Sequence, residues 1–185
     1  MSMPSILALD VSGKCTGWCF GVPGCERPIS GIVSWKQDDQ DHEDLVLRRA
    51  GNWLVQKLIV TQATLVAIEA PIKRSGGGYT NSRSQAFLIS LQGALRYVAM
   101  AKTGHVVRLP ASNTVRKVFM GRGSQFDGDV KELVQQECVR RGFIDAADAQ
   151  EDRCDAIALW CAIAAEHDQS LAWTKAKSKS AQARG

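Results

Sequence analysis

Length and charge limit what this chain can be. It has 185 residues, 45% of them hydrophobic, which suits one domain with a full core and leaves no room for a second catalytic domain. The net charge of +4 comes entirely from residues 171–185, which carry four basic side chains and no acid. We therefore predict a domain over residues 1–170 and a disordered basic tail over 171–185, which either contacts phosphates or has no role.

Targeting signals and cysteine usage bear on location. The sequence does not open with a cationic segment and a long apolar stretch, and no segment approaches the roughly 18 apolar residues of a membrane span. We expect a cytoplasmic protein without membrane contact. The six cysteines are irregularly spaced, which predicts reduced thiols, most of them in the core. Cys15, Cys19 and Cys25 lack the paired spacing of a zinc site, so zinc is disfavoured.

The first third of the chain predicts three strands and a helix. Residues 5–9 form a continuously apolar run that ends in Asp10, as is typical of a central strand covered on both faces. Residues 16–22 and 29–35 are two shorter strands around a turn-rich segment, so we expect an antiparallel pair. Apolar positions at near-helical spacing then predict a helix over residues 41–61.

The rest of the chain alternates helix and strand signals. Residues 64–68 form a second apolar strand that ends in Glu69. We predict a helix over 82–102, a strand over 105–109 and helices over 129–141 and 151–167. This order is typical of an α/β domain with a mixed sheet, in which ligands bind beyond the carboxyl ends of the strands.

Four carboxylates are candidates for a metal site. Asp10 and Glu69 end the two most apolar strands, and Asp152 and Asp155 share one helix face with a buried apolar stripe. If that helix packs beside the first strand, the four acids meet, and their repulsion calls for magnesium or manganese, which prefer oxygen ligands. Two such ions can hydrolyse a phosphodiester. Alternatively, the first two acids are solvated strand ends and the other two favour the helix dipole.

Three segments resemble one family of nucleases. LALDVSGKCTGW, LVAIEAP and DRCDAIALW are similar, in this order, to motifs of the RuvC-type Holliday junction resolvases, over roughly Ile6 to Ala165. The resemblance implies an α/β, RNase H-like fold, with a mixed five-stranded sheet of three antiparallel strands followed by parallel strands, flanked by helices. It also implies a homodimer that uses two Mg²⁺ ions, with Mn²⁺ as a substitute, to make paired symmetric nicks in four-way DNA junctions. Under this resemblance, a helicase partner remains an open alternative.

The resemblance also assigns residues. Asp10, Glu69, Asp152 and Asp155 become the metal ligands, and VRKVFMGRG places a basic catalytic position at Arg116, with Lys117 beside it. A family lysine aligns near Asp127, and Lys131, one helical turn later, can take its role.

A loop after Glu69 is the candidate for reading the junction. The family presents an aromatic residue there, whereas this chain has Ile72, and the nearest aromatic is Tyr79. The hypothesis is that a basic and aromatic set binds DNA through phosphate contacts and stacking, and that a flexible surface loop is the alternative. The predicted DNA-binding residues are Lys73, Arg74, Tyr79, Arg83, Arg116, Lys117 and Arg122.

Three other functions remain open at this point. A related RNase H-like nuclease can act on flaps, forks or structured RNA, because the loops and not the metal site read substrate shape. A junction-binding protein without catalysis is a second possibility, although all four acids are present. An actin-like or sugar-kinase ATPase also has a first loop like LALDVSGKCTGW, but it needs two such domains.

Overall fold

The structure is a computed structural model that describes residues 3–35, 42–71, 82–124 and 128–172. Within these ranges the chain forms four strands and five helices. The strands are β1 (Ile6–Val11), β2 (Cys15–Gly21), β3 (Ile29–Ser34) and β4 (Leu65–Ile68). The helices are α1 (Glu43–Thr61), α2 (Ser82–Thr103), α3 (Ser112–Met120), α4 (Val130–Arg140) and α5 (Glu151–Ala164).

The sheet is mixed and has the strand order β3-β2-β1-β4. β2 is antiparallel to both of its neighbours, β1 and β3, whereas β1 and β4 pair in parallel. The crossover from β3 to β4 runs through α1, as a parallel connection requires. The predicted mixed α/β architecture is confirmed.

The predicted fifth strand is not formed within the described residues. Residues 105–109 make one isolated parallel bridge, Ala67 with Arg108. Two hydrogen bonds carry it: Ile68 N–H donates to the Arg108 carbonyl, and Arg108 N–H donates to the Val66 carbonyl, both at 2.9 Å. Gly104, at a φ of 72°, ends the preceding helix, and Pro110 lacks an N–H to continue the ladder. The pairing is therefore too short to make a strand.

The two faces of the sheet bury separate cores because side chains alternate along a strand. Leu7, Leu9 and Val11 of β1 pack toward α1 and α2. Ile6 and Ala8 pack on the opposite face, toward α5, with α3 and α4 behind it. Being covered on both faces, β1 is the central strand that its apolar run predicted.

Helix α5 lies in the middle of the second core. All residues from Ala156 to Ala164 are buried, so the apolar stripe predicted on the face of Asp152 and Asp155 is part of a helix covered nearly all round. The sheet covers one side, and α3 and α4 cover the other. Helix α5 therefore packs beside the first strand, which is the condition on which the meeting of the four acids depends.

Helix α3 was missing from the sequence-based prediction. It has nine residues and buries only Val115 and Phe119, which are four apart and lie on one face. Its N-cap, Ala111, makes no side-chain capping bond. Because the helix is short and uncapped, its sequence signal is weak.

Two expectations from composition can be compared with the structure. All six cysteines lie in described ranges and none is in a disulfide. Among the described helices, none combines the length and apolar character that a bilayer crossing needs. The predicted tail falls outside the described residues from position 173 onward.

Candidate functional site

Three acids from separate elements line one small cavity. Asp10 follows Ile6 and Ala8 on the β1 face that packs against α5, and Glu69 comes directly after β4. Asp155 lies in the second turn of α5. Together with side chains of α3 and α4 they surround a volume of 40 Å³. The structure thus brings these acids together from three distant parts of the sequence.

The electrostatics of the cavity are unfavourable for negative charge. The pKa of Asp10 is raised from 3.8 to about 8, chiefly by burial and then by the charges of Asp155, Glu69 and Asp152. Burial likewise raises the pKa of Asp155 to about 6, with Glu69 the next largest cause. Carboxylates that repel one another in this way either hold a proton or require a cation.

The fourth acid, Asp152, is placed by a glycine in β2. Gly17 pairs with Asp10 across the β1–β2 ladder. A Cβ at position 17 would overlap the backbone carbonyl of Asp152. The first turn of α5 therefore lies directly on the strand. The Cys15 thiol donates a hydrogen bond to Asp152 Oδ2, with Sγ and Oδ2 2.7 Å apart.

Glu69 is held from two directions. The Ser112 hydroxyl, on the first residue of α3, donates to Glu69 Oε1. Gln92 of α2 is buried and donates from Nε2 to the Glu69 backbone carbonyl at 3.4 Å. Both the side chain and the backbone of this acid are therefore positioned by neighbouring helices.

Two of the predicted basic residues act on the acids, and a third lies away from the cavity. Arg116 lies one turn after Ser112, lines the cavity, and its charge lowers the pKa of Asp155. Lys131 forms an ion pair with Glu151, and its charge lowers the pKa of both Asp10 and Asp155. Lys117 is exposed and does not line the cavity.

The predicted DNA-binding loop lies mostly outside the described residues. This applies to Lys73, Arg74 and Tyr79, to Ile72, and also to Asp127. Arg83 is described, and it forms an exposed ion pair with Glu43 at 3.0 Å between Nε and Oε1. Arg122 is exposed after α3.

The side chains of the acids are not arranged as a complete set of metal ligands in this structure. In ranges 3–35, 42–71, 82–124 and 128–172, no three side chains of His, Cys, Asp or Glu are arranged so that they can hold a metal ion. Two of the four acids are instead engaged by neighbours, Glu69 by Ser112 and Asp152 by Cys15. Each of these hydrogen bonds occupies one carboxylate oxygen, Glu69 Oε1 or Asp152 Oδ2, and leaves the second oxygen available to an ion.

The sequence-based reasoning missed the residues that position the acids. Gly17 had a readable signal, because a glycine inside a strand often marks the close approach of another backbone. Cys15 and Ser112 had none, since each contacts an acid far away in the chain. Gln92 is a polar residue on a helix and was not distinguishable from a surface position.

Solved structures provide the comparison for this geometry. RuvC from Thermus thermophilus superposes with a TM-score of 0.68 at 17% sequence identity, over 91% of this chain and 98% of the other. The chain has the RuvC fold. The same enzyme in complex with a Holliday junction substrate gives the same values as the first match. The yeast mitochondrial Holliday junction resolvase Ydc2 gives a TM-score of 0.48 at 12% identity, over 89% of this chain and 81% of that one.

Sequence comparison adds no closer relative. No protein-family model matches the chain, and no curated protein matches it. The RuvC fold therefore rests on shape, and the chemistry of the site has to be argued from its own residues.

Proposed function

We propose that this protein is a metal-dependent endonuclease that resolves four-way DNA junctions by paired symmetric nicks. The observation that carries the proposal is the position of Asp10, which is half-buried beside three further carboxylates in a chain with the RuvC fold. A structural role does not explain such an arrangement, because gathering acids lowers stability and none of the four forms an ion pair with another described residue to offset that loss. Clusters of acids with raised pKa values are typical of catalytic sites.

The donor set suits magnesium. All four candidate ligands, Asp10, Glu69, Asp152 and Asp155, offer carboxylate oxygens, which Mg²⁺ and Mn²⁺ prefer. Ser112 holds Glu69 through Oε1 and Cys15 holds Asp152 through Oδ2, so Glu69 Oε2 and Asp152 Oδ1 are the oxygens left to share an ion. When bound, two such ions activate a water and stabilise the leaving oxygen of a phosphodiester.

The chain's own basic residues complete the proposed site. Arg116 lies on the cavity wall and is placed to contact a phosphate oxygen beside the acids. Lys131 is close enough to act on the same acids through its charge, and Glu151 holds its ammonium group. Lys117 is exposed on α3 and would contact a neighbouring phosphate.

We propose branched DNA as the substrate and a homodimer as the active form. The neighbour with the same fold was solved with a Holliday junction substrate. A junction offers two equivalent strands, so a two-fold dimer can place one site at each of them. In this proposal Lys73, Arg74, Tyr79, Arg83 and Arg122 bind the DNA around the cut site.

The test is cleavage of a labelled synthetic four-way junction. We expect symmetric nicks in Mg²⁺ or Mn²⁺ and none in EDTA. We expect Asp10→Asn and Glu69→Gln each to lower the cleavage rate roughly a hundredfold or more, since changing groups that merely support metal ligands costs about 10- to 100-fold. Asp145→Asn changes an exposed acid paired with Arg27 and should leave cleavage unchanged.

Other outcomes separate the alternatives. Junction binding without cleavage in either metal would indicate a non-catalytic binding protein. Faster cleavage of flaps, forks or structured RNA than of the junction would retain the nuclease and change its substrate.

A further inference from the structure

The candidate site contains a thiol whose role the proposed chemistry leaves unexplained. Cys15 is the first residue of β2 and is half-buried. Its Sγ donates to Asp152 Oδ2 at 2.7 Å, a contact between residues 137 positions apart in the chain. The contact joins the turn after β1 to the first turn of α5.

The β1–β2 turn holds this thiol in place. The Ser12 hydroxyl donates to the Cys15 carbonyl at 2.7 Å, and the Cys15 N–H donates back to Ser12 Oγ at 3.2 Å. The Ser12 N–H also donates to the Cys15 carbonyl at 3.0 Å. Three bonds within four residues therefore fix the backbone from which the thiol reaches Asp152.

Two residues of β2 position Asp152: one fixes its backbone and the other fixes its carboxylate. Gly17 fixes the backbone of Asp152, because the strand and the helix are in direct contact there. That contact leaves the carboxylate free to turn about its side-chain bonds. Cys15 binds one carboxylate oxygen and so removes the remaining freedom.

In its contact with Asp152 Oδ2 the thiol is the hydrogen-bond donor, since a carboxylate oxygen can only accept. A protonated thiol adds no negative charge to a site that already holds four acids, whereas a carboxylate or a thiolate at this position would add repulsion.

We propose that Cys15 is a positioning residue that orients the Asp152 carboxylate for a divalent ion. The inference rests on the proposed metal-dependent nuclease and assigns a residue that supports one of its ligands. Groups that orient metal ligands through hydrogen bonds usually change ion affinity when they are removed. In this proposal the affinity for the ion depends on the hydrogen-bond donor of Cys15 and not on the volume of its side chain.

The test is Mn²⁺ affinity of the purified full chain without DNA, measured by electron paramagnetic resonance. Cys15→Val fills the space without a donor, and we expect it to weaken Mn²⁺ binding by about tenfold. Cys15→Ser keeps a donor and should retain wild-type affinity. Cys25→Ser changes another half-buried thiol, in the loop after β2, and should have no effect. Circular dichroism checks that each variant is folded, and Cys15→Ala replaces Cys15→Val if the latter is not.

The second readout is junction cleavage as a function of Mn²⁺ concentration. We expect Cys15→Val to need more Mn²⁺ for half-maximal cleavage and to approach the wild-type rate at saturation. If Cys15→Val binds like wild type while Asp152→Asn binds weakly, the role of Cys15 is refuted and the nuclease proposal stands. Equal weakening by Cys15→Ser and Cys15→Val also refutes it. Absence of Mn²⁺ binding and of cleavage in the wild-type chain overturns both proposals.

Discussion

Replacing Asp10 by asparagine should make the metal-free protein more stable. Asn has nearly the shape of a protonated aspartic acid and carries no charge. The wild-type chain must either keep a proton on Asp10 or hold a half-buried negative charge beside three other acids. Asp10→Asn needs no bound proton and places no negative charge at this position.

The magnitude follows from the pKa of Asp10, which is about 8 in the folded chain against an ordinary value of 3.8. A carboxyl whose pKa is raised by folding leaves stability intact below its unfolded pKa and reduces it as the pH rises toward the folded pKa. Each pH unit in that window costs about 1.4 kcal/mol, so the loss at pH 7 is about 4 kcal/mol. We therefore expect Asp10→Asn to match wild type near pH 4 and to exceed it by about 4 kcal/mol at pH 7.

Urea unfolding in EDTA, followed by tryptophan fluorescence at pH 4, 5.5 and 7, measures this difference. Trp35 and Trp160 are fully buried and report on both cores. Asp145→Asn is the control. The Arg27 guanidinium lowers the pKa of Asp145, so this change should slightly reduce stability at neutral pH. Adding Mg²⁺ should narrow the gap between Asp10→Asn and wild type, since a bound ion stabilises only the wild-type site.

Two results would refute the reasoning. One is an Asp10→Asn variant no more stable than wild type at pH 7. The other is a gain in stability that does not change with pH, because a packing effect would then explain it better than charge.

Three further changes test how the fold is held together, each by urea unfolding. Gly17→Ala forces a Cβ into the Asp152 carbonyl and should cost about 3 kcal/mol, whereas Gly51→Ala meets only ordinary contact and should gain up to about 1 kcal/mol; equal effects would contradict the close approach. Gln62→Gly relieves a left-handed residue with a φ of 51° and should gain about 1 kcal/mol; a loss would contradict this. Arg141→Met removes hydrogen bonds to two backbone carbonyls and should cost about 3 kcal/mol, and a neutral result would show that these bonds contribute little.

The elements with long hydrophobic patterns could be predicted from the sequence. The apolar run of β1 and the helical spacing in α1 each carry a signal because one face or both are buried over many residues. Helix α3 could not be found in this way, since Val115 and Phe119 are its only buried residues. The segment around Arg108 has strand-like composition, but its pairing with β4 is a single bridge.

The candidate site, like the fold, could be predicted only in part from the sequence. Asp10 and Glu69 were identifiable because each ends an apolar strand, and the Asp152 and Asp155 pair because of its helical spacing. The groups that hold these acids were not identifiable. Their contacts join residues far apart in the chain, and no local period records which thiol or hydroxyl meets which carboxylate.

The most direct test of a divalent-ion site among the four acids is anomalous diffraction from crystals soaked in Mn²⁺. We expect one or two peaks about 2.1 Å from oxygens of Asp10, Glu69, Asp152 or Asp155, the distance usual for such octahedral ions. Asp10→Asn crystals should lose at least one of them. Peaks held elsewhere, with none at these carboxylates, would contradict the proposed site.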